Sequence, residues 1–191
     1  MKKFTLTIIL FITLPVFAQQ NETESEKQSR FYHESSLKQH SLQTNDWVNL
    51  STPQASLENF ILSSRKGNYK KAARSLDLSY VPESSEPNKP ASLVEKFFYV
   101  LNQKTLIPWK EIPDTPDGSI ENRNSKITVE SRKNILIDSI EHNDRDIEIR
   151  LYRVKTDNTA PVWLFSANTV SNIKTLYKHY GPGILDQKLP A

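Results

Sequence analysis

The chain has 191 residues, no cysteine and only four glycines, and its 25 basic residues nearly balance its 22 acidic ones. The lack of cysteine excludes disulfides and thiol chemistry, and so few glycines exclude a glycine-rich phosphate-binding loop. No stretch combines dense basic residues with interleaved aromatic residues, so nucleic-acid binding is not expected.

The first 18 residues have the pattern of an export signal. Lys2 and Lys3 form a basic start, residues 4–17 form an apolar stretch, and Ala18 is a small residue at the predicted cleavage point. An uncleaved anchor is the alternative, but the stretch is short for a membrane span of about 20 residues. Cleavage after Ala18 leaves 23 basic and 22 acidic residues, a net charge of +1.

Residues 19–50 are predicted to form a flexible polar leader, because they are rich in Gln, Glu, Ser, Lys and Asn and their few large apolar residues have no sustained period. A docking segment that folds on binding is the alternative. Residues 51–191 are predicted to form a single domain, and after the signal no apolar run is long enough to cross a bilayer.

The first half of this domain predicts three helices. Each has residues that favour a helix start, namely Thr52-Pro53, Asn68, and Ser92 with Glu95 at capping-box spacing. Gly67 ends the first helix, and the third ends near Thr105. A Pro-Asp-Gly turn follows at residues 116–118.

From Lys126 the apolar period changes from helical to two. Short strands are predicted around residues 127–129, 135–137, 147–151 and 162–165, and their short connections favour an antiparallel meander. Ser166 or Asn168 then caps a last helix, which Gly181 is predicted to end in a left-handed conformation. The fold class is therefore α+β, with N-terminal helices, a three- to four-stranded antiparallel sheet and one C-terminal helix.

Two groups of titratable residues are candidates for chemistry. Asp138 or Asp144 with His142 would suit acid–base catalysis in a hydrolase, but a solvated hairpin tip explains them better. Asp114 and Asp117 would suit a cation loop, but the remaining ligands are missing and a turn is favoured. The four histidines have no metal-binding spacing, so no metal, cofactor or catalytic residue is predicted.

A set of short motifs resembles a known family when the motifs are taken in order. They are Thr52-Pro53, Phe60, Gly67-Asn68-Tyr69, Ala72-Ala73, Leu76-Asp77-Leu78-Ser79, Leu101 with Leu106–Trp109, Pro113-Asp114-Thr115-Pro116-Asp117-Gly118, Val162-Trp163-Leu164-Phe165-Ser166, Thr169-Val170, Ile173, Leu176-Tyr177, Tyr180-Gly181-Pro182-Gly183 and Leu189-Pro190. Residues 51–190 thereby resemble the exported N-terminal domain of some MscS-like mechanosensitive ion channels of Gram-negative bacteria.

The resemblance implies a non-enzymatic periplasmic domain, close to the inner membrane, whose partner is a second copy of itself or an inner-membrane channel protein. In the family, the segment after the last helix leads to the transmembrane part, so that segment is the expected contact. Its candidate residues are Tyr177, Tyr180, Gly181, Pro182, Leu185 and Leu189. The sequence has no match to the family's pore helices, and we do not expect this chain to conduct ions by itself.

The order of elements in residues 52–78 also resembles the opening of NTF2-like proteins, which are cone-shaped and enclose a pocket. The alternative function is therefore a periplasmic small-molecule-binding module. Phe98, Trp109 and Tyr152 are the candidate pocket residues, although aromatic residues of this kind more often belong to a core.

Overall fold

A computed structural model of the chain describes residues 33–34, 48–81, 89–120, 131–155 and 160–182. The predicted α+β class is confirmed: helices precede a three-stranded antiparallel sheet, and one helix follows and packs on it. The signal peptide, the predicted strand at 127–129 and the predicted turn at 157–158 lie outside the described residues.

Apart from a two-residue strand in the predicted leader, the described elements follow one another in the predicted order. The helices are α1 (Pro53–Arg65), α2 (Tyr69–Ala72), α3 (Lys89–Lys104) and α4 (Ala167–Tyr180), with short 3₁₀ turns at Ala73–Ser75 and Trp109–Glu111. The strands are β1 (His33–Glu34), β2 (Asn134–His142), β3 (Arg145–Lys155) and β4 (Val162–Phe165).

The strand β3 is the centre of the sheet. It pairs antiparallel with β2 on one side and with β4 on the other. The two-residue β1, which lies in the predicted leader, pairs with β3 in parallel at Val154 and Lys155. The three long strands form the predicted meander, and part of the leader joins the sheet.

The helix α1 has the start and end that its sequence predicts. The Thr52 hydroxyl accepts a hydrogen bond from the Ala55 N–H at 3.0 Å. At the other end, the N–H of Gly67 bonds to the Ser64 carbonyl and that of Asn68 to the Ser63 carbonyl, which is the Schellman arrangement. Gly67 has a φ of 71°, a conformation that glycine adopts without steric cost.

The helix α3 begins earlier than its capping box predicts. Its first residue is Lys89, followed by Pro90, a residue type that fits the first turn because its missing N–H has no helical partner there. Ser92 therefore lies inside the helix, where its hydroxyl accepts a hydrogen bond from Lys96 Nζ at 3.0 Å. The predicted cap of Ser92 with Glu95 is wrong because proline supplies the start.

A β-bulge explains why β2 departs from simple alternation. The pairing shifts between Leu136 and Asp138, so Ile137 is the extra residue opposite β3. Ile135, Ile137 and Ile140 are all buried as a result, whereas strict alternation would place Ile140 on the face opposite the other two.

Three phenylalanine rings join α1, α3 and β4 at the middle of the core. The centroids of Phe60, Phe97 and Phe165 lie 4.9–5.3 Å apart in tilted or edge-on arrangements, and all three residues are fully buried. Burial of each ring removes a large apolar area from water and so stabilises the fold, and the edge-to-face contacts between the rings add to this stabilisation.

The corner between β4 and α4 is made by two hydroxyl residues. Ser166 caps α4 by accepting a hydrogen bond from the Thr169 N–H at 3.1 Å. The buried Thr169 hydroxyl donates to the Glu148 carbonyl and accepts from the Arg150 N–H, both at 3.1 Å. Beyond the end of β4, the Thr169 side chain therefore provides the hydrogen-bonding partners for the main chain of β3.

The end of α4 differs from the predicted left-handed cap. Gly181 has a φ of −69° and a ψ of 173°, an extended conformation that the following proline favours. Its N–H bonds to the Tyr177 carbonyl at 2.8 Å, and a Cβ at this position would lie 2.3 Å from the same oxygen. Glycine is needed for this close approach, not for a left-handed turn.

The turn at Gly118 packs directly on Trp163, which is the largest fully buried side chain among the residues that the structure describes. Gly118 has a φ of 70°, and a Cβ there would lie 2.7 Å from the indole ring. The Trp163 Nε1–H donates to the Pro116 carbonyl at 3.0 Å. The loop between α3 and the sheet is thus fixed to the core at this point.

We expect Gly118→Ala to lower the free energy of unfolding by about 2–4 kcal/mol, because it combines an unfavourable φ with overlap on a buried ring. Gly67→Ala is the matched control, since Gly67 has the same φ but nothing within 4 Å of the added Cβ, and should cost about 1–2 kcal/mol. Urea unfolding of both variants tests this, and equal losses would contradict the Trp163 contact.

Thr169→Val should lower the free energy of unfolding by about 1–3 kcal/mol, because it leaves two buried backbone groups of β3 without partners while it keeps the side-chain shape. Ser171→Ala, on the exposed side of the same helix, is the control and should change it by less than about 0.5 kcal/mol. Thermal and urea unfolding would report both, and a neutral Thr169→Val would show that this corner does not depend on the hydroxyl.

Candidate functional site

The predicted contact segment begins at the end of α4, which is held from two sides. The Tyr180 hydroxyl donates to the Glu141 carbonyl near the tip of the β2–β3 hairpin. On the other side, Lys104 Nζ at the end of α3 lies 4.3 Å from the centroid of the Tyr180 ring, a cation–π distance. Tyr180 therefore connects α4 to both neighbouring elements.

Tyr177 makes the same kind of link one turn earlier. Its ring lies 5.9 Å from the ring of Tyr99 in an edge-on contact, and Lys96 Nζ lies 5.9 Å from its centroid. Both Gly181 and Pro182 are half-buried. Leu185 and Leu189, the remaining predicted contact residues, lie outside the described residues.

Two histidines complete this region, and the sequence analysis did not connect them. The rings of His142 and His179 meet edge-on with centroids 5.0 Å apart, and His179 is 4.5 Å from Tyr180. The Asn143 amide hydrogen-bonds to His142 Nε2 at 3.1 Å. A strand end and a helix end 37 residues apart meet here, a proximity that no local spacing predicts. We call the region around Tyr177, Tyr180, His142 and His179 the α4 end.

The proposed acid–base residues are separated by the hairpin geometry. The Asp138 carboxylate accepts hydrogen bonds from the Leu106 and Ser139 N–H groups at 3.2 and 2.8 Å. It lies four residues, or about 13 Å along a strand, from His142. Asp144 lies in the turn with a φ of 57°. No hydrogen bond joins these three described residues.

The candidate cation loop is a turn whose carboxylates already have hydrogen-bonding partners. The Gly118 N–H bonds to the Thr115 carbonyl at 3.0 Å, and the Asp114 carboxylate accepts from the Thr52 hydroxyl at 2.7 Å. Asp117 accepts from the Ser119 N–H at 3.1 Å. Among the described residues, no group of three acidic or histidine side chains is arranged to hold a metal ion.

The electrostatics of this turn are set by hydrogen bonds to Asp117. Burial alone would raise the pKa of its carboxyl, but hydrogen bonds from Ser119, Thr115 and Ser131 outweigh burial and hold the pKa below its ordinary value. The ionised form of Asp117 is therefore the one that the folded turn favours.

The three predicted pocket residues lie in different surroundings. Phe98, on α3, packs against the core, and Trp109 is 41% exposed in its 3₁₀ turn. Tyr152 is half-buried on β3 and alternates with the fully buried Leu151, so it lies on the sheet face away from the helices.

A depression of about 410 Å³ lies beside the first residues of β2, and none of those three residues lines it. It is lined by five apolar residues, three charged residues and one amide residue, namely Pro108, Ile112, Ile120, Ile135, Leu136, Glu111, Arg132, Arg150 and Asn134. The Arg150 guanidinium donates hydrogen bonds to the Glu148 carboxylate and to the Asn134 side chain at 2.7–2.9 Å. Nothing in the sequence pattern marks this depression, because loop and strand residues form it together.

Comparison with models of known protein families, with curated proteins and with solved structures gives no significant match. Within the described residues, no helix has both the length and the apolar character needed to cross a membrane.

We expect Asp117→Asn to destabilise the protein at pH 7 and to have a smaller effect below about pH 4. A carboxylate with a lowered folded pKa stabilises the fold above its unfolded pKa of about 3.9, and this contribution disappears as the pH falls through the folded value. Urea midpoints at pH 7 and pH 3 would measure the change, with Asp144→Asn as the control. An equal loss at both pH values would contradict the role of the Asp117 charge.

Proposed function

We propose that this protein is a non-catalytic periplasmic domain that acts through protein–protein contacts close to the inner membrane, like the exported domain of MscS-like channels. Two lines of reasoning support the proposal. The ordered motifs of residues 51–190 resemble that domain. The Asp138 carboxylate accepts main-chain hydrogen bonds and Asp144 lies in the hairpin turn, and no hydrogen bond joins either of these described residues to His142.

The observation that carries the proposal is the double attachment of the α4 end. Tyr180 is bonded to the β2–β3 hairpin and packed under Lys104, and Tyr177 contacts α3. The end of α4 is therefore held in a fixed position on the domain. Force or binding at that end would reach both the sheet and the helices, since rigid packed elements transmit displacement.

The proposed partner is a second copy of the chain or an inner-membrane channel protein, reached through Tyr177, Tyr180, Gly181, Pro182, Leu185 and Leu189. The NTF2-like small-molecule module is the weaker proposal. A pocket of Phe98, Trp109 and Tyr152 would have to bring together residues from the helical layer and from the opposite face of the sheet.

We expect a photo-crosslinking residue at position 182 to capture a discrete partner in the periplasm of an exporting host, whereas the same residue at position 62 captures none. Leu62 is the matched control because it is an apolar residue, 51% exposed, on α1. Equal capture at both positions, or none at position 182, would contradict the proposed contact.

Tyr180→Phe should lower crosslinking at position 182 several-fold while it changes the free energy of unfolding by only about 1 kcal/mol, because it removes one hydrogen bond to the hairpin and keeps the ring. Crosslink yield and urea unfolding are measured on the same variant. Unchanged yield would show that attachment to the hairpin does not orient the contact segment.

A further inference from the structure

The corner between α1 and α2 carries a concentration of positive charge. Five of the ten residues from 65 to 74 are basic and none is acidic. Only Gly67 and Asn68 lie between Lys66, the C-cap of α1, and Tyr69, the first residue of α2. This tight turn brings basic side chains of two helices close together. We call Arg65, Lys66, Lys70 and Lys71 the basic corner.

The buried faces of the two helices direct these side chains outward. On α2, Ala72 is fully buried and Tyr69, three positions earlier, packs against the core. Lys70 and Lys71 lie between them in the chain, so they project from the other side of the helix. Both cations of α1 and Lys70 are exposed, and Lys71 is half-buried.

Helix electrostatics explain only half of the basic corner. Arg65 and Lys66 lie at the C-terminal end of α1, where the helix dipole favours positive charge. Lys70 and Lys71 lie in the first turn of α2, where the dipole disfavours positive charge, and that turn has no acidic residue. The two lysines of α2 therefore do not serve the stability of their own helix, which indicates a role in binding.

Carboxylates lie on both sides of the basic corner in the chain but not within it. Glu58 accepts a hydrogen bond from the Gln54 amide, and the buried Asp77 accepts from Ser79. With two further glutamates at positions 83 and 86, residues 58–88 contain five basic and four acidic side chains. The helix α3, which packs on α2, adds three lysines and one glutamate. The positive charge is thus in excess and is concentrated at residues 65–74.

The shape of the corner and an apolar neighbour favour a lipid surface as the ligand. Gly67 is exposed, and a Cβ added there would have nothing within 4 Å, so the corner is convex. Leu62 lies one turn before Arg65 and Lys66 on the same face of α1 and is 51% exposed. Exposed cations beside an exposed apolar side chain are typical of surfaces that rest on an anionic bilayer.

We propose that the basic corner binds the surface of a bilayer that contains anionic phospholipid, with Leu62 at the boundary between headgroups and acyl chains. Each of the four cations adds about fivefold in affinity, so half-binding is expected at about 1 mM accessible lipid at low ionic strength. This surface does not depend on the protein contact proposed for the α4 end. Lipid at Leu62 also leaves that position a control for protein capture.

The test is co-sedimentation of the mature full chain with sucrose-loaded vesicles of phosphatidylglycerol and phosphatidylcholine in equal amounts. We expect binding in about 50 mM salt that weakens at least about tenfold in about 0.5 M salt, because salt screens exposed charges. Vesicles of phosphatidylcholine alone should bind at least about tenfold more weakly. Absence of binding, or equal binding to the two kinds of vesicle, would overturn the proposal.

Two double variants with the same change in net charge locate the binding surface. Lys70→Gln with Lys71→Gln should weaken vesicle binding about 25-fold. The urea midpoint of this variant should be equal or higher, because it removes charge that the start of α2 disfavours, and this separates lost binding from unfolding. Lys110→Gln with Arg145→Gln, two exposed cations elsewhere, should weaken binding by less than about threefold. Equal losses in the two double variants would overturn the proposal.

A leucine substitution distinguishes a bilayer from a soluble polyanion. Leu62→Gln should weaken vesicle binding about fivefold, because it removes an apolar contact with the bilayer interface. Leu106→Gln is the control, since Leu106 is 90% exposed outside the basic corner, and should leave binding unchanged. An unchanged affinity of Leu62→Gln, together with equally tight binding of inorganic polyphosphate, would assign the corner to a soluble polyanion and overturn the proposal.

Discussion

The backbone of β4 is hydrogen-bonded on both sides, and the rest of the domain is arranged around that constraint. On one side β3 provides the ladder, and on the other Leu50, Ser56 and Asp77 bind the Trp163 and Phe165 main chain. A buried backbone group without a partner would cost about 1–3 kcal/mol. The chain before α1, α1 itself and the segment after α2 must therefore all converge on this four-residue strand.

The side chains of β4 impose a second constraint on the same elements. Phe165 brings α1 and α3 together through Phe60 and Phe97, and Trp163 requires glycine at position 118. The position of the loop after α3 follows from that indole contact. Hydrogen bonds of the Asp117 carbonyl to the Arg132 N–H and of the Leu106 N–H to the Asp138 carboxylate hold the same loop at two further points.

Local chemistry was enough to predict much of this fold. Thr52, Gly67 and Ser166 form hydrogen bonds with residues only three positions away, so their roles at helix ends could be predicted from sequence. The alternation of buried and exposed residues along β3 could be predicted as well. The predictions of a capping box at Ser92 and of a left-handed Gly181 are wrong, because a neighbouring proline determines the backbone conformation at each of these helix ends. Ile137 could not be recognised as a bulge, since a bulge is defined by the register between β2 and β3, which the residues of β2 alone do not fix.

The candidate sites could be predicted only in part, for a related reason. The sequence indicated the α4 end, but its partners in space, Lys104, His142 and the Glu141 carbonyl, come from other elements. The depression beside β2 has no sequence signature either, because residues of a loop and of a strand that are separated in the chain line it together. Tyr180 shows how such contacts connect the domain. Its hydroxyl donates to the Glu141 carbonyl of β2 and its ring contacts Lys104 of α3, so the end of α4 depends on both the sheet and the helical layer that β4 holds together.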